Sequence, residues 1–160
     1  MKNRHQAYFQ TPIGTARITG DGTSVVSLEV LDEKFIERDV IPDYIIIAIN
    51  QLNEYFEGER KVFDFPIAPQ GTEFQRKVWS ELSKIPYGKT ISYAEQSKRM
   101  GDLKAIRAIA TANGKNPLWI VVPCHRVVGS NGSLTGYAGG LWRKKWLLEH
   151  EKCEKQQSLF

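Results

Sequence analysis

Residues 92–115 read Ser92-Tyr93-Ala94-Glu95-Gln96-Ser97-Lys98-Arg99-Met100-Gly101-Asp102-Leu103-Lys104-Ala105-Ile106-Arg107-Ala108-Ile109-Ala110-Thr111-Ala112-Asn113-Gly114-Lys115. Ser92 and Glu95 have the spacing of a capping box, in which each side chain satisfies a backbone donor at a helix start. The helix they open ends near Gly101, and a second begins at once after Asp102. In that second helix Leu103, Ile106, Ile109 and Ala110 are expected to face inward, and Lys104, Arg107, Ala108, Thr111 and Lys115 outward. Two short helices joined at Gly101-Asp102 predict a helix-turn-helix. The outward face mixes cations with small residues, which lets the backbone come close to a surface such as a DNA groove. It has few of the long polar side chains that read base edges in the major groove, so weak sequence preference is expected. A solvated basic helix face fits the same residues.

Upstream, Thr72 is placed to cap a helix running to about Lys84, with Phe74, Val78, Trp79 and Leu82 on its inner face and Pro86-Tyr87-Gly88 as its stop. Residues 66–71, Pro-Ile-Ala-Pro-Gln-Gly, read as a linker. The charge changes sign there. Residues 1–70 carry 7 Lys/Arg against 11 Asp/Glu, whereas residues 71–160 carry 15 against 7. A basic second half suggests a polyanionic partner. We therefore divide the chain into a domain over 1–68, a domain over 72–155 and a tail over 156–160. In the first domain, residues 7–11, 15–19 and 24–30 read as antiparallel strands, with Gly20-Asp21-Gly22 as a turn. Pro42 then opens a helix with Ile45, Ala48, Ile49, Leu52, Tyr55 and Phe56 at helical spacing, and Gly58 closes it. Residues 61–65 are a candidate further strand. The fold class is α/β or α+β: an antiparallel sheet plus helix in front, a winged helix-turn-helix behind.

Downstream of the helix pair, Asn116-Pro117 leads into a run over 118–122 patterned as a buried strand, which delivers Pro123-Cys124-His125-Arg126-Val127. A thiolate attacks far better than a thiol, and an imidazole nearby can take the proton that separates them. On a regular strand adjacent residues face opposite sides, so contact between Cys124 and His125 requires a turn or a bridging water. Taken as a dipeptide alone, they also fit a buried structural cysteine.

From Gly71 onward the chain resembles the O6-alkylguanine-DNA alkyltransferases, the methylated-DNA-protein-cysteine methyltransferases. The ordered motifs are Gly71-Thr72-Glu73-Phe74-Gln75 with Val78-Trp79, Ile85-Pro86-Tyr87-Gly88 with Thr90 and Ser92-Tyr93, Arg107-Ala108, Asn116-Pro117, Pro123-Cys124-His125-Arg126-Val127, Gly136-Tyr137-Ala138-Gly139-Gly140, and Lys144 with Leu147-Leu148. The first half matches in length and coarse pattern, resembling the family's variable, ribonuclease-H-like domain. The resemblance implies that Cys124 accepts an alkyl group from O6 of guanine in double-stranded DNA, once per molecule. It implies His125 as base through a water, Glu151 as the carboxylate orienting it, and Asn116 as a hinge. Glu149 and Glu154 are near neighbours of Glu151; spacing after Lys144 favours Glu151.

The same resemblance implies that the nucleotide is flipped out, with Arg107 filling the gap and Tyr93 turning the phosphate and donating to guanine N3. Lys104, Ala108 and Thr111 would meet the minor groove. Val127, Tyr137, Ala138 and Lys144 are implied around the base pocket, although Lys144 also fits a phosphate-facing or solvated position. Some relatives carry serine at position 138, so Ala138 leaves only a backbone contact there.

Two cysteines, Cys124 and Cys153, form no disulfide framework or zinc spacing. No metal and no cofactor are expected, Cys153 reads as an exposed tail thiol, and His5 and His150 have no assigned role. The longest apolar runs, 45–49 and 118–122, fall far short of the roughly 20 residues of a membrane span. The first residues lack the features of a secretory signal or transit peptide. A cytoplasmic monomer is expected, nuclear if the source is eukaryotic. The rival functions are an alkyltransferase-like lesion-binding protein without transfer, a transcriptional regulator and a Cys-His hydrolase.

Overall fold

A computed structural model of the chain describes residues 4–37 and 39–159, with side chains up to Lys152. Cys153, Glu154 and the expected tail lie outside the described side chains. The chain divides into two compact units, Met1–Gln70 with Pro117–Trp119, and Gly71–Asn116 with Ile120–Phe160.

The first unit is a three-stranded antiparallel sheet, β1 (His5–Thr11), β2 (Gly14–Gly20) and β3 (Val25–Leu31), in sequence order, with helix α1 (Asp43–Phe56). Alternation along β3 buries Val26, Leu28 and Val30 while Ser27, Glu29 and Leu31 are less buried. Between β2 and β3 the Asp21 carboxylate accepts from the amides of Thr23 and Ser24, an Asx turn that holds the carboxyl below its usual range. The stripe Ile45, Ala48, Ile49, Leu52 and Tyr55 of α1 is buried, as its spacing predicts. Glycine at position 20 leaves room for the Tyr44 ring, which a Cβ there would meet at 2.5 Å and push aside. Residues 61–65 do not form the expected strand. Asp64 instead exchanges side-chain and backbone hydrogen bonds with Gln51. The backbone pairs only at Ile67, whose neighbours Pro66 and Ala68 bond to Val25.

The second unit begins with α2 (Glu73–Leu82), opened by a full capping box between Thr72 and Gln75. Its buried face is Val78, Trp79 and Leu82; Phe74, expected inward, is exposed because it sits in the first turn. Strand β4 (Ile91–Ser92) pairs in parallel with β5 (Val127–Val128). The helix-turn-helix is α3 (Tyr93–Arg99) and α4 (Ile106–Gly114), joined through a 3-10 turn over Leu103–Ala105. That turn winds more tightly than an α-helix and shifts the inward face. Leu103, 64% exposed, and Ile106, 37% exposed, point outward against expectation, and Ile109, Ala112 and Asn113 form the buried face.

The predicted strand over 118–122 is also absent. Leu118 makes one bridge to Leu28, with Trp119 N–H donating to the Leu28 carbonyl, and the chain then turns. Ile120 adopts φ 74°, a left-handed conformation that a β-branched residue rarely takes. The reversal is closed by Asn116, whose side-chain amide donates to the Val122 carbonyl at 2.8 Å. The run is apolar because it is buried, not because it is extended. Helix α5 (Leu141–Leu159) completes the unit.

Candidate active site

Cys124, His125 and Arg126 form a single 3-10 turn, in which successive side chains fan out by roughly 120°. Cys124 lies on the wall of a cavity of about 390 Å³, together with Tyr93, Ala110, Asn113, Gly114, Thr135, Gly136, Tyr137 and Ala138. That volume is in the range of small-ligand pockets. Burial pushes the Cys124 thiol up; a hydrogen bond from Asn116 Nδ2, 3.3 Å from Sγ, and the nearby Lys144 charge pull against it. Burial dominates, so the resting sulfur is a protonated thiol, and a base is needed to activate it.

His125 is fully buried, and its Nε2 stands 2.7 Å from Glu151 Oε2. Its Nδ1 is buried with no hydrogen-bond partner among the described residues. Burial holds the imidazole below its ordinary value, and Arg126 and Lys144 act the same way against the pull of Glu151. Burial would raise the Glu151 carboxyl, but His125 and the Arg126 guanidinium reverse this and hold it well below the usual carboxylate range. Arg126 grips Glu151 with a two-pronged fork, Nε to Oε1 at 2.8 Å and Nη2 to Oε2 at 3.1 Å. An ionised carboxylate only accepts, so the Nε2 it faces carries the imidazole proton, and Nδ1 is left as a bare acceptor.

Lys144 is buried rather than solvated. Its ammonium donates to the carbonyls of Thr135 at 2.7 Å and Gly136 at 3.4 Å. Burial brings its pKa down to about 8, with Cys124 opposing. The Tyr93 hydroxyl donates to the same Thr135 carbonyl at 3.0 Å, so Tyr93 and Lys144 both secure the segment that forms one cavity wall. Tyr137 and Ala138 line the cavity; burial raises the Tyr137 phenol well above its ordinary value. Val127 does not line it: its side chain is buried and its backbone pairs with Ile91 in the parallel ladder. Arg107, Ala108 and Thr111 stand exposed on α4, as do Lys104 in the 3-10 turn before it and Lys115 just past its end, as their spacing predicts. His5 bonds Tyr44, and His150 stacks on Trp146, which gives both histidines structural contacts.

The sequence reading missed two groups. One is Arg126, which is buried, as a charged residue is only when it has a partner. The other is the pair Gln96 and Asn113, buried amides that exchange two hydrogen bonds of 2.8 Å between α3 and α4. Trp79 Nε1 adds a bond to the Ala112 carbonyl and ties α2 to the same helix. The helix that presents Arg107 is thus locked to its neighbours by polar contacts from its buried face.

The sequence pattern described as "6-O-methylguanine DNA methyltransferase, DNA binding domain" matches residues 73–153. The pattern described as "6-O-methylguanine DNA methyltransferase, ribonuclease-like domain" matches residues 5–69. A methylated-DNA–protein-cysteine methyltransferase of Methanosarcina mazei is 53% identical over 149 residues, covering 90% of this chain and 94% of that protein. One of Methanosarcina acetivorans is 44% identical over 154 residues, covering 92% and 97%. The crystal structure of Mycobacterium tuberculosis OGT in complex with DNA matches with a TM-score of 0.85 at 43% identity, covering 93% of each chain. Both units match, and a relative more than half identical spans nearly the whole length. The chain belongs to the methylated-DNA–protein-cysteine methyltransferase family.

Proposed function

We infer that this protein repairs DNA by taking an alkyl group from O6 of guanine onto Cys124. The observation that carries this reading is the cavity with Cys124 on its wall, beside a buried imidazole whose Nε2 is held by the Glu151–Arg126 pair and whose Nδ1 has no hydrogen-bond partner among the described residues. Family membership and the DNA complex of a relative at 43% identity support DNA as the partner, and we take it to be double-stranded.

In the reaction, the Cys124 Sγ–H proton passes through a water to His125 Nδ1, and Glu151 steadies the imidazolium that forms. The Sγ lone pair attacks the alkyl carbon, the bond from that carbon to O6 breaks, and its electron pair stays on the guanine. Tyr93 gives its phenolic proton to guanine N3, releasing Thr135 to do so, and recovers one from the imidazolium. The balance is one proton moved from sulfur to guanine and one alkyl group moved the other way. The product is a thioether, which none of the groups around Cys124 can hydrolyse, so each molecule acts once.

The target base is inaccessible inside a duplex and must be extruded into the cavity. Arg107, exposed on α4 among Lys104, Ala108 and Thr111, fills the gap from the minor groove. The small residues let the helix approach closely, and the cations meet phosphates. The protein works as a monomer. Mass spectrometry tests this function directly. After incubation with excess duplex containing O6-methylguanine, one methyl group should sit on the Cys124 peptide, and Cys124→Ala should acquire none. Repair far beyond one event per molecule, or an unmodified Cys124, would refute the reading.

A further inference from the structure

We propose that Arg126 is a positioning residue of the reaction, setting which nitrogen of His125 is free to take the proton from Cys124. This rests on His125 acting as the base, as inferred above. The geometry centres on one carboxylate. Glu151 Oε2 is shared by His125 Nε2 and Arg126 Nη2, while Oε1 receives Arg126 Nε and, at 3.4 Å, the Gly88 amide. Arg126 is itself fixed by donating Nη1 to the Ile85 carbonyl at 2.6 Å, and its guanidinium lies 5.7 Å from the centre of the Tyr87 ring. These contacts bury a guanidinium one residue from His125 and two from Cys124.

Two consequences follow from placing a permanent cation there. The fork keeps Glu151 ionised and stationary, so it can only accept and the imidazole proton must reside on Nε2. The same cation disfavours an imidazolium at rest. The other charged groups facing His125 are Glu151 and Lys144, and Lys144 repels a second proton too. Without Arg126, the buried Glu151 would be relieved most cheaply by a proton held on His125. Both ring nitrogens would then be donors, and none would remain to accept from the thiol. A salt bridge that served stability alone would have no such effect on His125.

The test uses the full chain, as wild type, Arg126→Gln and Arg126→Lys. Single-turnover methyl transfer from O6-methylguanine duplex is followed over about pH 5 to 9, alongside nitrogen NMR of the His125 ring. For Arg126→Gln the acidic limb of the profile should move to higher pH, the rate at neutral pH should fall about tenfold or more, and Nδ1 should become protonated. Arg126→Lys keeps the charge and should restore the limb, even with a lower maximum. A limb that stays in place in Arg126→Gln, or a lysine variant that behaves like glutamine, overturns the proposal. Should glutamine at 126 prevent folding, the wild-type spectrum and the lysine variant decide. Nδ1 protonated at neutral pH in the wild type, or a displaced limb in the lysine variant, would overturn it. A wild-type protein that transfers no methyl group would instead defeat the function itself, whereas a competent protein indifferent to residue 126 defeats only the role of Arg126.

Discussion

One nitrogen of Asn116, its Nδ2, donates both to the Val122 carbonyl at 2.8 Å and to Cys124 Sγ at 3.3 Å. The same amide therefore closes the loop that delivers the cysteine and favours its thiolate. Replacing Asn116 by Ala should leave the Val122 carbonyl without this bond, at a cost of about 1–3 kcal/mol by denaturant unfolding. It should also move the pH midpoint of Cys124 modification by a small thiol reagent upward. An unchanged midpoint would mean the contact with sulfur has no electrostatic role.

Arg107→Ala should separate extrusion from chemistry. Its side chain is exposed, whereas the His125–Glu151 pair is buried, so attack on O6-alkylguanine offered as a free base should be unchanged. Repair of the same lesion in a duplex should slow on the order of 10–100-fold, part of the few kcal/mol that unstacking costs. Equal slowing on both substrates would place Arg107 elsewhere in the mechanism.

Gln96 and Asn113 satisfy each other in the buried seam between α3 and α4. Either single substitution by Ala strands its partner. A double-mutant cycle read by thermal or denaturant unfolding should give a coupling of about 0.5–3 kcal/mol. Because Asn113 also lines the cavity, both single variants should slow duplex repair. Additive effects on stability would show that the amides do not depend on one another.

Acid should weaken the fold in two stages. His125 is held below its ordinary value of 6.5, so the unfolded chain binds a proton near that pH that the folded chain refuses. Stability then declines as pH falls below about 6.5. Glu151 is held below its ordinary 4.5; its stabilisation is complete above that value and is lost as pH falls further through the folded-state value. Denaturant unfolding against pH should show both, and His125→Gln should abolish the upper stage. A flat profile between pH 6.5 and 4.5 would contradict a buried neutral His125.

Local signals made most of this molecule legible from its residues. The capping box at Thr72 and Gln75, the stripe of α1, the helix pair joined at Gly101-Asp102 and the exposed face from Lys104 to Lys115 all rest on interactions within a few positions along the chain. Cys124 and His125 are neighbours in the chain, and the departure from strand geometry that their contact would require is met by the 3-10 turn Cys124–Arg126.

Tertiary structure decided what depends on partners far apart in sequence. The run over 118–122 has the apolar character of a strand but bends at Ile120, because Asn116 draws Val122 back and Leu28 pairs with the chain only around Leu118. Lys144 looked equally suited to solvent; the carbonyls of Thr135 and Gly136 took it into the interior. Arg126 and Glu151 lie 25 positions apart, and Gln96 and Asn113 lie 17 apart. Such pairs leave no periodic trace in a sequence, since a buried charge or amide is tolerated only where folding happens to bring it a partner.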